Sequence, residues 1–242
     1  MRPLQTFAVL TFFAIAALVL APSFAFAAPR DVQMREFNFE TSTLELRNFG
    51  GSAEPLDGWR FCSHDESEVR RYSASSGLNG VSIPAGGSIF IHFLNDAPGG
   101  DPTRINVSSL GAFATPFDSG SYGIQIYFAP VSFGNGNTIA DHAQWSVDGI
   151  DNTSADERSD EAENGGVWTD QSQWIATQSD TLSIELAAAA EGLVLHSPTS
   201  YVVNNPAPPV VPSMDHFGLF ALAALLMGAG FVMARRKSAA TL

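Results

Sequence analysis

Short runs of alternating apolar and polar residues, separated by turns rich in glycine and proline, set the strongest limit on how this 242-residue chain can fold. In Leu44–Arg47 two leucines alternate with two charged residues, and similar runs recur as far as Thr181–Leu186. A period of two is typical of a β-strand that buries one face. Seven or eight such strands, without a long amphipathic helix, predict an all-β fold of two sheets packed face to face.

We expect the stretch Leu44–Phe61 to lie at the centre of this fold. It is interpreted as a strand, a turn and a second strand in a hairpin, because Asn48–Ser52 and Pro55–Gly58 are rich in turn-forming residues. Trp59 would bury more apolar area than its neighbours and is therefore the expected core anchor. The other principal strands are predicted at Val32–Phe39, Ser88–Leu94, Tyr122–Phe128 and Thr138–Val147, with Thr181–Leu186 as the last strand.

The charge of the chain is strongly negative and unevenly distributed. Between Ala28 and Val211 there are 8 arginines, no lysine and 24 acidic residues, a net charge of −16. Such a surface repels phosphate backbones, which argues against nucleic acid as a partner. The single cysteine, Cys62, can form no intramolecular disulfide, and we expect a buried, inert thiol there.

Both ends of the chain carry long apolar stretches. Residues 1–27 begin with a basic residue, continue through an apolar run and end in Ala25-Phe26-Ala27, the pattern of a cleavable signal helix. The exported body is expected at residues 28–203, followed by a Pro-rich linker at 204–210 and a C-terminal segment at 211–242. In that segment Phe217–Met233 is uncharged and just long enough for a transmembrane helix, and the basic cluster after it would stay in the cytoplasm.

This C-terminal segment resembles the PEP-CTERM type of bacterial sorting signal, and most closely its IPTL-CTERM variant. The resemblance implies delivery of the protein to the cell envelope of a Gram-negative bacterium, with an exosortase-type membrane enzyme as partner. A plain membrane anchor that is never processed is the alternative. The residues that match the motif or its basic flank are Val211, Pro212, Ser213, Met214, Phe217, Gly218, Arg235 and Arg236.

The body resembles the lamin-tail domain in four short motifs that occur in the expected order. They are Leu44–Asn48, Pro55–Phe61, Ile83–Gly86 and Thr138–Trp145. The match departs from the family in the residues before Gly58 and in a long insertion, Asn95–Gly120. The resemblance implies an immunoglobulin-like β-sandwich with no catalytic residues of its own. The insertion is a candidate interaction site, because long loops in compact domains often carry function.

Two metal sites are considered. The acidic stretch Asp148–Glu163 suggests Ca²⁺, with Asp148, Asp151 and Asp156 as candidate ligands. The spacing does not fit an EF-hand, and a solvated acidic loop is the alternative. His142 beside Asp141, with His92 on a neighbouring strand, would make a small metal site, or these histidines would be exposed strand positions.

We therefore expect a non-catalytic, exported envelope protein with a structural or adhesive β-sandwich and no cofactor. Its partners would be surface glycans or other envelope proteins. The alternatives are a Ca²⁺- or glycan-binding surface module, which would use the acidic stretch or the insertion, and a secreted hydrolase with carboxylates in a cleft. The hydrolase has only weak support, because the chain contains no Gly-x-Ser-x-Gly motif and its many acids could pair in any combination.

Overall fold

The computed structural model describes residues 29–65, 69–111, 113, 116–150 and 158–207. These residues up to Pro206 belong to one compact unit, and a second unit begins at Ala207. The predicted signal helix and the predicted C-terminal segment lie outside the described residues. In the described ranges, no helix combines the length and the apolar character that a membrane crossing needs.

The described chain is almost entirely β-structure with one short α-helix. The strands are β1 (Val32–Asn38), β2 (Thr43–Asn48), β3 (Glu54–Pro55), β4 (Arg60–Asp65), β5 (Arg70–Tyr72), β6 (Ser82–Ile83), β7 (Ser88–His92), β8 (Arg104–Asn106), β9 (Tyr122–Tyr127), β10 (Ile139–Val147), β11 (Ile175–Thr177), β12 (Ser183–Leu186) and β13 (Tyr201–Asn204). The helix α1 spans Ser159–Asn164, and four 3₁₀ helices span Pro29–Asp31, Val107–Leu110, Gly136–Thr138 and Pro198–Ser200.

Two large sheets make up the fold. One has six strands in the order β13-β12-β1-β2-β7-β8, and the other has five in the order β11-β10-β9-β4-β5. Most neighbours are antiparallel, and the pairs β7–β8 and β10–β11 are parallel. A small third sheet pairs β3 with β6. The predicted all-β class with sandwich-like sheets is confirmed.

Aromatic side chains from both large sheets meet in one core. The ring of Phe37 on β1 lies 4.8 Å from that of Trp145 on β10, and Tyr122 on β9 stacks on Trp145 at 5.2 Å. Phe117 from the insertion packs against the same indole at 5.9 Å. Trp59 is buried, as predicted, with 3% of its surface exposed. The centre of the aromatic cluster, however, is Trp145 and not Trp59.

The prediction that the strands on either side of Pro55–Gly58 pair as a hairpin is wrong. The strand β2 lies in the six-stranded sheet, where β1 and β7 are its neighbours. The strand β4, which begins directly after Trp59, lies in the five-stranded sheet beside β9 and β5. The stretch Leu44–Phe61 therefore crosses from one sheet to the other. The alternation of its residues is correct, but alternation specifies a buried face and not the neighbouring strand.

The elements not expected from the sequence include β13 and α1. The strand β13 follows the predicted last strand and forms an edge of the six-stranded sheet by pairing with β12. The helix α1 forms within the stretch interpreted as an acidic loop, and it buries Ser159 and Ala162. Its sequence is short and polar, so hydrophobic periodicity could not reveal it.

Candidate functional site

A row of side chains crosses four strands of the six-stranded sheet on the face turned away from the core. The strand register pairs Glu36 with Glu45, Glu45 with Phe90, and Phe90 with Arg104. Directly paired residues of neighbouring strands point to the same face of a sheet. These four side chains therefore form one continuous row across β1, β2, β7 and β8.

A second row runs beside the first and completes a groove. Asn38, Thr43 and His92 are paired in register on β1, β2 and β7. Together with exposed Thr41 and Asp96 at the rim, the two rows line a groove that encloses about 250 Å³. Sites for drug-sized ligands begin at roughly 300 Å³. The groove is therefore large enough for one small group of a ligand.

His92 is held from both sides at the end of the groove. Its Nδ1 lies 2.9 Å from Asp96 Oδ1, and its Nε2 lies 3.1 Å from a guanidinium nitrogen of Arg104. The guanidinium can only donate, so Nε2 accepts that hydrogen bond and Nδ1 donates to the carboxylate. These two contacts therefore fix the orientation of the His92 ring. The guanidinium carbon of Arg104 also lies 4.8 Å from the centre of the Phe90 ring, a cation–π contact.

The long insertion contributes to both the groove and the core. Asp96 and Arg104, which hold His92, come from Asn95–Gly120. Leu110, Phe113 and Phe117 of the same insertion are buried in the core. Thus one edge of the insertion is anchored in the core while another part lines the groove.

Arg35 forms a group of ion pairs beside the groove. It is the extra residue of a β-bulge, because Met34 pairs with Leu46 and Glu36 pairs with Glu45. Its guanidinium lies 2.9 Å from Glu45 and also pairs with Glu185 and Glu191. Burial disfavours the charged guanidinium, but hydrogen bonding and attraction from Glu45, followed by Glu185, raise the pKa of Arg35 above its usual value.

The groove is negatively charged overall. Its lining contains the carboxylates of Glu36, Glu45 and Asp96 against the single guanidinium of Arg104. Adjacent Arg35 is shared among three carboxylates, so it does not offset this excess. A groove of this charge attracts cationic groups and repels anionic ligands.

A second polar cluster is buried between the sheets. Asp141 on β10 is fully buried, and its carboxylate accepts hydrogen bonds from the backbone N–H of Met34 at 2.7 Å and of His142 at 2.8 Å. His196 Nδ1 lies 3.0 Å from the same carboxylate. Because Met34 belongs to the six-stranded sheet and His196 follows β12, Asp141 joins three parts of the fold. This cluster is closed to solvent, so its role is structural.

The two histidines of this cluster have pKa values shifted in opposite directions. Burial lowers the pKa of His142 to about 4, and its ring lies between Gln125 and Gln144, with nitrogen distances of 2.8 and 3.0 Å. Burial also disfavours a charged His196, but the adjacent carboxylate of Asp141 outweighs burial and raises the pKa of His196 above its ordinary value.

The predicted grouping of His92, His142 and Asp141 is wrong. His92 lies on β7 of the six-stranded sheet, whereas His142 and Asp141 lie on β10 of the other sheet. Both histidines are buried, so the alternative of exposed strand positions is also wrong. In the described parts of the chain, no group of three or more His, Cys, Asp or Glu side chains is arranged to hold a metal ion.

Several other predicted residues are only partly described. Asp148 follows β10 directly and has a positive φ of 62°, whereas Asp151 and Asp156 lie outside the described residues. All residues of the predicted sorting motif, from Val211 to Arg236, also lie outside them. Cys62 on β4 is fully buried, as predicted.

Sequence reasoning missed most of the groove, including Glu36, Glu45 and Phe90. Glu36 and Glu45 alternate with core residues, so their strands alone suggest an ordinary solvated face. Phe90 lies in the nearly continuous apolar run Ser88–Leu94, which is typical of a buried central strand. Only the strand register brings the charged residues into one row. Two sequence signals pointed to this region: the insertion, which supplies Asp96 and Arg104, and His92, which was a candidate metal ligand.

Comparisons with known proteins do not assign this chain to a family. No family model matches the chain, and no curated protein sequence matches it.

Proposed function

We propose that this protein is a non-catalytic, exported cell-envelope protein whose β-sandwich is an adhesive module. The groove formed by β1, β2, β7 and β8 is its contact surface. The observation that carries the proposal is this groove, in which Glu36, Phe90 and Arg104 lie in register on a solvent-facing sheet. A concave face with a few oriented polar groups and one aromatic ring is typical of a ligand-binding surface.

The arrangement of the groove favours binding over hydrolysis. Glycoside hydrolysis needs a protonated carboxylic acid opposite a second carboxylate. Glu45 is instead paired with Arg35 at 2.9 Å, and Asp96 is paired with His92 at 2.9 Å. Both carboxylates are therefore engaged as acceptors, which suits a fixed recognition surface.

The lamin-tail resemblance is part of the proposal. Its four motifs correspond to β2, the approach to β4, the turn before β7, and β10, which alternate between the two large sheets. In an immunoglobulin-like sandwich two sheets pack face to face, and the outer face of a sheet meets solvent. We propose this finer fold for the protein.

The proposed route to the envelope uses both ends of the chain. Residues 1–27 would direct export, and the segment from Val211 would be recognised by an exosortase-type enzyme after insertion of its apolar stretch into the membrane. The negative charge of the body, −16 between Ala28 and Val211, suits solubility outside the cell.

Expression in a bacterium that carries an exosortase-type enzyme tests the proposal in two readouts. The full chain should be found in the envelope, and removal of residues 211–242 should release the body into the medium. Cells that display the full chain should attach to a polysaccharide-coated surface, and Phe90→Ala should reduce attachment. Unchanged location after the truncation would refute the sorting proposal, and attachment equal to that of cells lacking the protein would refute adhesion.

A further inference from the structure

We infer that the groove recognises an amino sugar, that is, a saccharide unit that carries a protonated amine. This inference rests on the proposed adhesive function and specifies the ligand of the same groove. Its basis is the excess of carboxylates in the lining, combined with hydroxyl and amide groups at hydrogen-bonding positions.

Glu36 is the residue that would receive the ammonium group. In the described residues, its side chain takes part in a single hydrogen bond, a long one of 3.4 Å from Asn38 Nδ2. Glu45 and Asp96 are occupied by Arg35 and His92, respectively. Glu36 therefore retains acceptor capacity on its carboxylate, and it is half-buried between Glu45 and Glu185 in the strand register.

The other groups of the groove fit the hydroxyls of a sugar. The hydroxyls of Thr41 and Thr43 donate to Asn38 Oδ1 and to the Thr41 carbonyl, respectively, so their oxygens can still accept hydrogen bonds from a ligand. The guanidinium of Arg104 lies over the Phe90 ring, where it donates to His92 and pairs with Asp101 at 3.6 Å. A purely cationic ligand such as a lysine side chain would bond to Glu36 but would make no hydrogen bonds to these hydroxyl and amide groups.

The size of the groove fits a single sugar ring. Its volume of about 250 Å³ lies below the roughly 300 Å³ at which sites for drug-sized ligands begin. One ring would fill it, and neighbouring units of an oligosaccharide would extend over the open sheet face. We therefore expect specificity for one unit and a modest affinity.

Titration calorimetry with the full chain and four probes tests the inference in mildly acidic buffer. The probes are a tetramer of β-1,4-linked glucosamine, its N-acetylated form, the corresponding glucose tetramer, and tetralysine. We expect only the glucosamine tetramer to bind measurably, and high salt should weaken its binding because the attraction is partly electrostatic.

Variants identify the residue that reads the amine. Glu36→Gln removes the charge but keeps the shape, and it should weaken binding of the glucosamine tetramer about 10- to 100-fold, the effect of a charge-assisted hydrogen bond. Glu40→Gln is the matched control, because Glu40 is exposed and outside the groove lining, and it should bind like the unmodified protein.

Each other outcome contradicts the inference. Equal binding of the glucose or N-acetylated tetramer means that the amine is not read, and equal binding of tetralysine means that the sugar is not read. Binding that Glu36→Gln leaves unchanged, or no binding of the glucosamine tetramer, also overturns it. If cells still attach to polysaccharide in a Phe90-dependent manner, only the ligand class is wrong; if attachment also fails, the proposed function is wrong as well.

Discussion

Replacing Asp141 by asparagine tests whether the buried cluster joins the two sheets. The carboxylate accepts three hydrogen bonds, from Met34 N, His142 N and His196 Nδ1. An amide has one oxygen, so in Asp141→Asn at least one of these donors would face an N–H₂ group. His196 would also lose its ionic partner in a site that is closed to solvent.

The expected loss of stability is large. Removal of one partner from a buried ion pair costs about 3–5 kcal/mol, which is a substantial part of the roughly 5–15 kcal/mol that stabilises a typical domain. For a chain of this size, about 1 kcal/mol corresponds to roughly 2–4 °C in melting temperature. Asp141→Asn should therefore lower the melting temperature by about 10 °C.

The effect of this substitution should also depend on pH. The pKa of His196 is raised in the folded state, so the stability that this histidine provides is complete below its unfolded pKa of about 6.5 and is lost as pH rises through the folded value. Asp141→Asn removes the group that raises this pKa. The difference in unfolding free energy between the two proteins should therefore be largest in mildly acidic buffer and smaller at alkaline pH.

Urea unfolding, followed by tryptophan fluorescence at several pH values, measures both effects. Asp180→Asn is the matched control, because it removes the same charge from an exposed turn, and it should change stability by less than about 0.5 kcal/mol. A loss below about 1 kcal/mol for Asp141→Asn would refute the assigned role of the cluster. A loss that does not vary with pH would refute the assignment of the raised pKa to this ion pair.

Three further predictions concern a buried histidine, a close backbone contact and a group of ion pairs. The pKa of His142 is lowered to about 4, so its contribution to stability is present above pH 6.5 and is lost as pH falls towards 4. The free energy of unfolding should change by about 3 kcal/mol over this range. Urea unfolding measures this change, and NMR titration of the imidazole measures the pKa. Gly136→Ala should destabilise the protein by about 3 kcal/mol or more, because the new Cβ would lie 1.9 Å from the carbonyl oxygen of Glu161. Gly134→Ala is the control, because its new Cβ has no neighbour within 4 Å. Thermal melting should show a large loss for the first variant and almost none for the second. Arg35→Met should lower the free energy of unfolding in urea by about 1–3 kcal/mol, because the carboxylates that share this guanidinium would lose their cation. This loss is smaller than for a fully buried ion pair, since the Arg35 side chain is 23% exposed. No measurable loss would contradict this account.

Local alternation was sufficient to predict several strands. Val32–Asn38, Thr43–Asn48 and Tyr122–Tyr127 form strands almost within the predicted bounds. In these runs each apolar residue that faces the core is followed by one that faces away, and this signal is contained within a few neighbouring residues. Pairing between strands depends on residues far apart in the chain, so the relation of β2 to β4 could not be predicted in the same way.

The groove illustrates the same limit for a functional site. Glu36, Glu45, Phe90 and Arg104 are spread over 69 positions of the sequence and belong to four strands. Glu45 lies in the Leu44–Asn48 motif, but no motif links it to the other three residues. Their proximity follows from strand order and register, both of which are set by the packing of the opposite, apolar faces of the same strands.

The strand register is irregular at two places beside the buried cluster, and the one in β1 also adjoins the groove. In β1 the bulge inserts Arg35 between Met34 and Glu36, and in β10 the register shifts between Ile139 and Asp141. A bulge interrupts the ladder of backbone hydrogen bonds and re-aims the neighbouring side chains. Thus the N–H of Met34 is available to the carboxylate of Asp141, while Glu36 lies opposite Glu45 in the groove row. The bulge in β1 therefore sets both the position of the Met34 N–H beside Asp141 and the position of Glu36 in the groove. For this reason we expect that loss of the Asp141 carboxylate also shifts Glu36 in molecules that remain folded.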